Sequence, residues 1–194
     1  MKVVIKNSAN VLKEHKRKLY ILVGPPAVGK STWIQNNLNP STSYIISRDK
    51  IFEDVREQFG SINKNALLEI DRRLKERIDN AKHSKKDIII DSLNLTVKQR
   101  QLVVKGLQLA EEYEKIAVVF NFKGEENIIL ENAQKRNRET GKNIHEQTLK
   151  RSMSRFEDIK VQEGFSKIIN VDNIPSIKAN LKTIYGDFAT KYTI

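Results

Sequence analysis

A chain of 194 residues is the length of one domain with short extensions, and such a domain buries on the order of 70% of its unfolded surface. It has no cysteine, which excludes disulfides, thiol catalysis and cysteine-bound zinc, and its histidines at positions 15, 83 and 145 are too scattered for a metal cluster. The net charge is +11, with six basic groups against one acidic in residues 1–20 and eleven against six in residues 62–105, a distribution that suits either a polyanion-binding protein or a solvated basic surface. The segment Met1–Asn7 has too short an apolar run for a signal peptide. No run approaches the roughly 20 apolar residues of a membrane span. A soluble, cytoplasmic protein is therefore expected.

In chain order, residues 1–17 read as a basic leader, either a short edge strand or a flexible arm, ahead of a single domain over 18–194. The apolar run 19–23 predicts a strand buried on both faces. Residues 24–31, Gly-Pro-Pro-Ala-Val-Gly-Lys-Ser, lead into a helix over 32–38, and 43–47 predicts a second strand. Helices are expected over 50–59 and 62–83, the second with Leu67, Leu68, Ile70, Leu74 and Ile78 largely on one face. A buried strand over 87–91 is followed by the turn 92–96, with Thr96 as helix cap, and by a helix to about 113. A strand over 115–122, helices over 124–138 and 145–160, a strand over 167–171 and a helical tail from Pro175 complete the chain. Alternation of strand and helix predicts right-handed βαβ units and a mostly parallel five-stranded sheet flanked by helices, with ligands beyond the carboxyl ends of the strands.

The stretch from Gly24 to Ser31 fits the P-loop pattern, and it stands between a strand and a helix as that loop requires. Backbone N–H groups of Gly24, Pro25, Pro26, Ala27, Val28, Gly29, Lys30, Ser31 and Thr32, apart from the two prolines that only shape the loop, would surround the phosphates of ATP or another NTP. Lys30 would reach the β- and γ-phosphates, and Ser31 would bind Mg²⁺. Such a loop identifies a nucleotide site and leaves the reaction open.

Beyond the P-loop, Ser47-Arg48-Asp49, the run Ile90-Asp91-Ser92-Leu93-Asn94-Leu95-Thr96, and Lys135-Arg136-Asn137-Arg138 with Gly141 and the helix ending Met153-Ser154-Arg155-Phe156-Glu157 follow in order. Together with Gly24–Trp33, these pieces resemble the kinase domain of phage-type polynucleotide 5′-hydroxyl kinases, within the broader P-loop kinases, over about residues 18–160. The resemblance implies a P-loop kinase fold with a small helical lid over about 124–145. It implies transfer of the γ-phosphate of ATP, with Mg²⁺, to the 5′-hydroxyl ends of RNA or DNA in nucleic-acid repair. Leu93 stands where the family has Thr or Asn, and Thr140 aligns with the family's last lid arginine. The Asp-x-Asp-x-Thr phosphatase signature is absent from the sequence.

The residue types suit that chemistry. Phosphoryl transfer needs charge neutralisation, in-line positioning and an acceptor for the hydroxyl proton. Asp49, at a strand end, is the right type for the base, or else a helix cap. Arg48 is a candidate for a substrate phosphate, and Asp91 and Asn94 either hold the acceptor or a metal-bound water or merely end a strand. Arg136 and Arg138 are candidate catalytic lid arginines, or members of a solvated face. A small-molecule kinase and a non-catalytic nucleotide-dependent binding module are the alternative functions.

Overall fold

The computed structural model describes residues 16–107, 113–141 and 144–172. The proposed helical tail from Pro175 and nearly all of the basic leader lie outside these residues. Five strands, β1 (Arg17–Val23), β2 (Ser43–Ser47), β3 (Asp87–Asp91), β4 (Tyr113–Phe120) and β5 (Lys167–Val171), form one parallel sheet in the order β2-β3-β1-β4-β5. The helices are α1 (Lys30–Asn37), α2 (Arg48–Phe59), α3 (Lys64–His83), α4 (Val97–Leu107), α5 (Glu126–Thr140) and α6 (Glu146–Ser154).

The sheet is parallel because every described connection between successive strands contains helix, and such crossovers return the chain in the same direction. It is apolar on both faces because helices cover both. Tyr20, Leu22, Val118 and Phe120 face one core with Ile34, Ile129 and Leu149. Leu19, Ile21, Val23, Ala117 and Val119 face the other with Ala81 and Leu107. Each fully buried Leu or Ile here contributes about 1.5–3 kcal/mol of transfer free energy. A third, small cluster of Ile51, Val55, Ala66 and Ile70 joins α2 to α3.

Several boundaries differ from those read in the sequence, each for a local reason. Arg17 belongs to β1, pairing with Tyr113, and its guanidinium lies 5.0 Å from the centre of the Tyr113 ring. Tyr113 therefore opens β4; its ring is buried and its hydroxyl donates to the Lys86 carbonyl at 3.1 Å. α3 starts at Lys64 because Asn63 caps it, accepting from the Ala66 N–H at 3.0 Å. α6 stops at Ser154, and beyond it the Glu157 N–H donates to the Leu95 carbonyl at 2.9 Å. That bond diverts the backbone away from a helical path and toward the turn after β3.

Candidate active site

The P-loop leaves β1 at Gly24. A Cβ there would lie 3.0 Å from Val28 Cγ1 and 3.2 Å from Phe120 Cβ, so glycine lets the loop pack on the end of β4. Ala27 and Gly29 both take left-handed backbone angles, with φ of 62° and 99°. Gly29 is the N-cap of α1 and has no side chain to cap it, so the first-turn N–H groups of the helix are donors for an anion. Ser31 and Thr32 are exposed in that first turn, while Val28 is fully buried and anchors the loop.

Lys30 is 8% exposed. Its Nζ donates to the Gly24 and Pro25 carbonyls at 2.9 and 2.7 Å. Burial lowers its pKa to about 8, against the pull of the Asp91 and Asp49 carboxylates, with the Arg136 guanidinium adding to the lowering. Asp91 shows the converse. Burial raises its pKa and the Asp49 charge adds to that, while Lys30, Arg136 and a hydrogen bond from Ser47 oppose it. Lys30, Asp49, Asp91 and Arg136, from four separate elements, thus form one charge cluster at the carboxyl ends of the strands.

The register explains how they meet. β2 and β3 are neighbours, and Ser47 pairs with Asp91 at their ends. α2 follows β2 without a loop, so Arg48 and Asp49 occupy its first turn. The N-cap is Ser47, whose hydroxyl accepts from the Lys50 N–H at 3.4 Å. Asp49 is therefore not the capping residue; it is exposed in that first turn, and its charge bears on both Lys30 and Asp91. Arg48 is exposed beside it.

Asn94 is placed differently. It is 3% exposed in a left-handed turn, with φ 48°. Its Nδ2 donates to the Leu22 carbonyl at 2.8 Å and its Oδ1 accepts from Ser92 Oγ at 3.0 Å. The Leu93 carbonyl accepts from Gly24 N–H at 3.0 Å. The turn after β3 thereby grips the root of the P-loop from two sides, and the Asn94 amide is engaged with the fold.

On α5, Arg136 is half-buried and faces the cluster, whereas Arg138 is exposed; two helical positions correspond to about 200° of rotation, which separates them. α5 touches the loop through Asn132, whose Nδ2 reaches the Ala27 carbonyl at 3.4 Å, and it is anchored in the core by Ile129 and Ala133.

Three participants were not legible in the sequence. Ser47 looked like a strand end, yet it caps α2 and donates to Asp91. Arg100 looked like one more basic residue on α4, yet it is 1% exposed. Its guanidinium donates to the Asn94 and Leu95 carbonyls at 3.1 Å, to the Asp158 carbonyl at 3.2 Å, and to both Glu163 oxygens at 2.7 and 2.8 Å. It ties the P-loop-gripping turn to the chain after α6. Glu163 is its third-party counterpart, 63 residues away. Part of the basic excess over 62–105 is likewise spent internally, since Arg72 and Arg73 pair with Glu69 and Arg72 also with Glu76.

Mg²⁺ is bound in phosphate sites through one or two protein oxygens plus substrate oxygens and water rather than by a protein cage. The described residues hold no group of three His, Cys, Asp or Glu that could form a cage. Ser31 in the α1 first turn and Asp91, whose charge acts on Lys30, carry oxygens of the type that would hold such an ion. No helix of the described residues is long and apolar enough to cross a membrane.

Residues 19–159 match the family described as AAA domain. No curated protein matches the sequence. Among solved structures, a chain of the Pnkp1/Rnl/Hen1 RNA repair complex is similar at 22% identity and TM-score 0.59, covering 76% of this chain and 46% of that one. The present chain thus spans less than half the length of that relative. A fungal RNA kinase is similar at 16% identity and TM-score 0.54, covering 91% and 87% of the two chains. A gluconokinase from Sinorhizobium meliloti 1021 is similar at 16% identity and TM-score 0.51, covering 91% and 98%. These identities speak to the fold alone. With the P-loop, the five-stranded parallel sheet and a match over residues 19–159, the chain belongs to this AAA domain family and has the P-loop kinase fold.

Proposed function

We propose that this chain is an ATP-dependent polynucleotide 5′-hydroxyl kinase of the cytoplasm, acting in nucleic-acid repair. The observation that carries the reading is the position of Asp49. It stands in the first turn of α2, released from capping by Ser47, with its charge felt by both Lys30 and Asp91. A carboxylate beside the γ-phosphate site, not required for the helix end, suits a general base for an acceptor hydroxyl.

In this reading the P-loop N–H groups and Lys30 hold the donor's β- and γ-phosphates. Ser31 would hold Mg²⁺, which would supply charge neutralisation for the transferring phosphoryl group, and Asp91 would orient the acceptor or a water of that metal. Asp49 takes the proton of the 5′-hydroxyl as the oxygen attacks phosphorus. Arg136 stabilises the charge on the transferring group from the α5 side, which gives the segment around 124–145 a lid-like role. Arg48, exposed next to Asp49, is the residue for the acceptor's own phosphate. The likeness of fold to the chain from the RNA repair complex and to the fungal RNA kinase is consistent with this acceptor class.

The test is an acceptor panel with labelled ATP: 5′-hydroxyl RNA, 5′-hydroxyl DNA, nucleosides and sugars. Labelling of the oligonucleotides, lost by at least about 10²-fold in Asp49→Asn with ATP binding retained, is the expected result. Labelling of nucleosides or sugars alone would replace the acceptor class, and wild-type turnover by Asp49→Asn would remove the proposed base.

A further inference from the structure

α2 carries more than Asp49. Arg48, Phe52 and Arg56 follow at i, i+4 and i+8, which places them in one stripe along the helix. Asp49 stands three residues before Phe52 and seven before Arg56, on the same flank. α2 starts directly from the end of β2, where Ser47 pairs with Asp91, and the Asp49 charge reaches Lys30 and Asp91, so the start of this flank lies beside the phosphate crevice.

The three stripe residues are all exposed. Phe52 is 40% exposed and belongs to none of the three apolar clusters; α2 is anchored instead by Ile51 and Val55. Its ring is not needed by the core. Arg48 and Arg56 make no ion pair among the described residues, unlike Arg72 and Arg73 on neighbouring α3. The exposed acidic residues Asp54 and Glu57 lie on the far side of the helix, while Glu53, three residues before Arg56 on this flank, is half-buried and already engaged in an interaction. An unspent cation, an open aromatic face and a second unspent cation, starting at a carboxylate in the crevice, are the parts of a single-strand track. Such tracks combine cations along the backbone with aromatic rings on which bases stack.

We propose that this flank of α2 seats the acceptor strand, with Phe52 stacking on a base at or next to the 5′ end and Arg56 meeting the phosphate beyond it. The assignment rests on the kinase reading above and adds to it a residue that reads the acceptor as a single strand. Stacking of this kind is sequence-tolerant, because every base presents a π face. The predicted substrate is therefore a single-stranded or frayed 5′ end with little base preference.

The experiment compares wild type, Phe52→Ala, Phe52→Leu, Phe52→Trp and Arg56→Ala on 5′-hydroxyl oligonucleotides, some with an abasic site at the first or second nucleotide. Loss of one base stack corresponds to roughly a 5- to 150-fold rise in KM for the oligonucleotide. That rise is expected in Phe52→Ala and in Phe52→Leu, which keeps apolar bulk but no ring, with KM for ATP unchanged and with recovery in Phe52→Trp. Wild type should lose a similar factor on one of the abasic substrates, and Phe52→Ala should be indifferent to that abasic site. Arg56→Ala should reduce the salt slope of binding by about one. If wild type phosphorylates oligonucleotides and Phe52→Leu does so with an unchanged KM, the stacking site falls while the kinase reading stands. If wild type phosphorylates no oligonucleotide, both fall together.

Discussion

The guanidinium of Arg100 and the carboxylate of Glu163 form a buried two-point ion pair, with 2.7 and 2.8 Å contacts and side chains 0% and 3% exposed. The pair does not touch the phosphate site, but the same guanidinium holds the carbonyls of Asn94 and Leu95. Asn94 in turn holds the Leu22 carbonyl at the end of β1. Order at the P-loop therefore depends on a residue of α4 and a carboxylate beyond α6.

Arg100→Ala leaves the buried Glu163 carboxylate without its cation and takes a donor away from the Asn94, Leu95 and Asp158 carbonyls. It should destabilise the protein by about 3–5 kcal/mol, measured by denaturant unfolding. Glu163 is raised by burial, but the Arg100 and Lys160 hydrogen bonds and charges bring its pKa below the ordinary range overall. A carboxylate depressed in the folded state stabilises above its unfolded pKa and loses that contribution as pH falls through its native pKa. Wild type should lose stability over this acidic window, and the loss should be smaller in Glu163→Gln.

Lys30 predicts the opposite limb. Its native pKa of about 8 lies below the ordinary lysine range, so between the two the unfolded chain holds a proton that the native protein has released. Stability of the nucleotide-free protein should rise with pH over that interval, and ATP affinity should weaken above about pH 8 as the ammonium is lost. Lys30→Met should flatten the stability limb and lower turnover by about 10²–10³-fold.

Arg136 and Arg138 should separate kinetically. Arg136 is half-buried at the cluster and Arg138 is exposed on another face of α5. Arg136→Ala should lower kcat by about 10³-fold with a much smaller change in KM for ATP, the pattern of a contact made chiefly in the transition state. Arg138→Ala should remain within a few-fold of wild type; an equal loss in both would return Arg138 to the site.

Ser47→Ala removes the α2 cap and a hydrogen bond that favours ionised Asp91. Stability should fall by about 1 kcal/mol. Because Asp91 is already raised by burial, the acidic limb of the pH–rate profile should move to higher pH, whereas loss of a cap alone would leave the profile in place.

Binding of oligonucleotide should weaken steeply with added salt if Arg48, Arg56 and the basic segments contact phosphates. Filter binding between about 50 and 200 mM salt measures the slope; salt-independent binding would speak against a phosphate-tracking site.

The order of elements, the parallel sheet and the P-loop were legible in the sequence, because each rests on local information. Apolar runs such as 19–23 and 87–91 state burial on both faces, and Gly24 to Ser31 is a contiguous pattern whose conformation depends on its own glycines. The identity of the charge cluster was legible only in part. Asp49 and Asp91 could be placed after their strands, but which of Ser47 and Asp49 capped α2 depended on a helix start two residues earlier than the periodicity suggested. Whether Arg136 or Arg138 faced the site depended on how α5 is rotated against the core through Ile129 and Ala133. The roles of Asn94, Arg100 and Glu163 were decided by tertiary structure alone. Their partners lie 72 and 63 residues away, and no local pattern in a single sequence specifies a hydrogen bond across such a separation. Only packing of the turn after β3 between the P-loop and the chain beyond α6 makes a basic residue on α4 a buried strut.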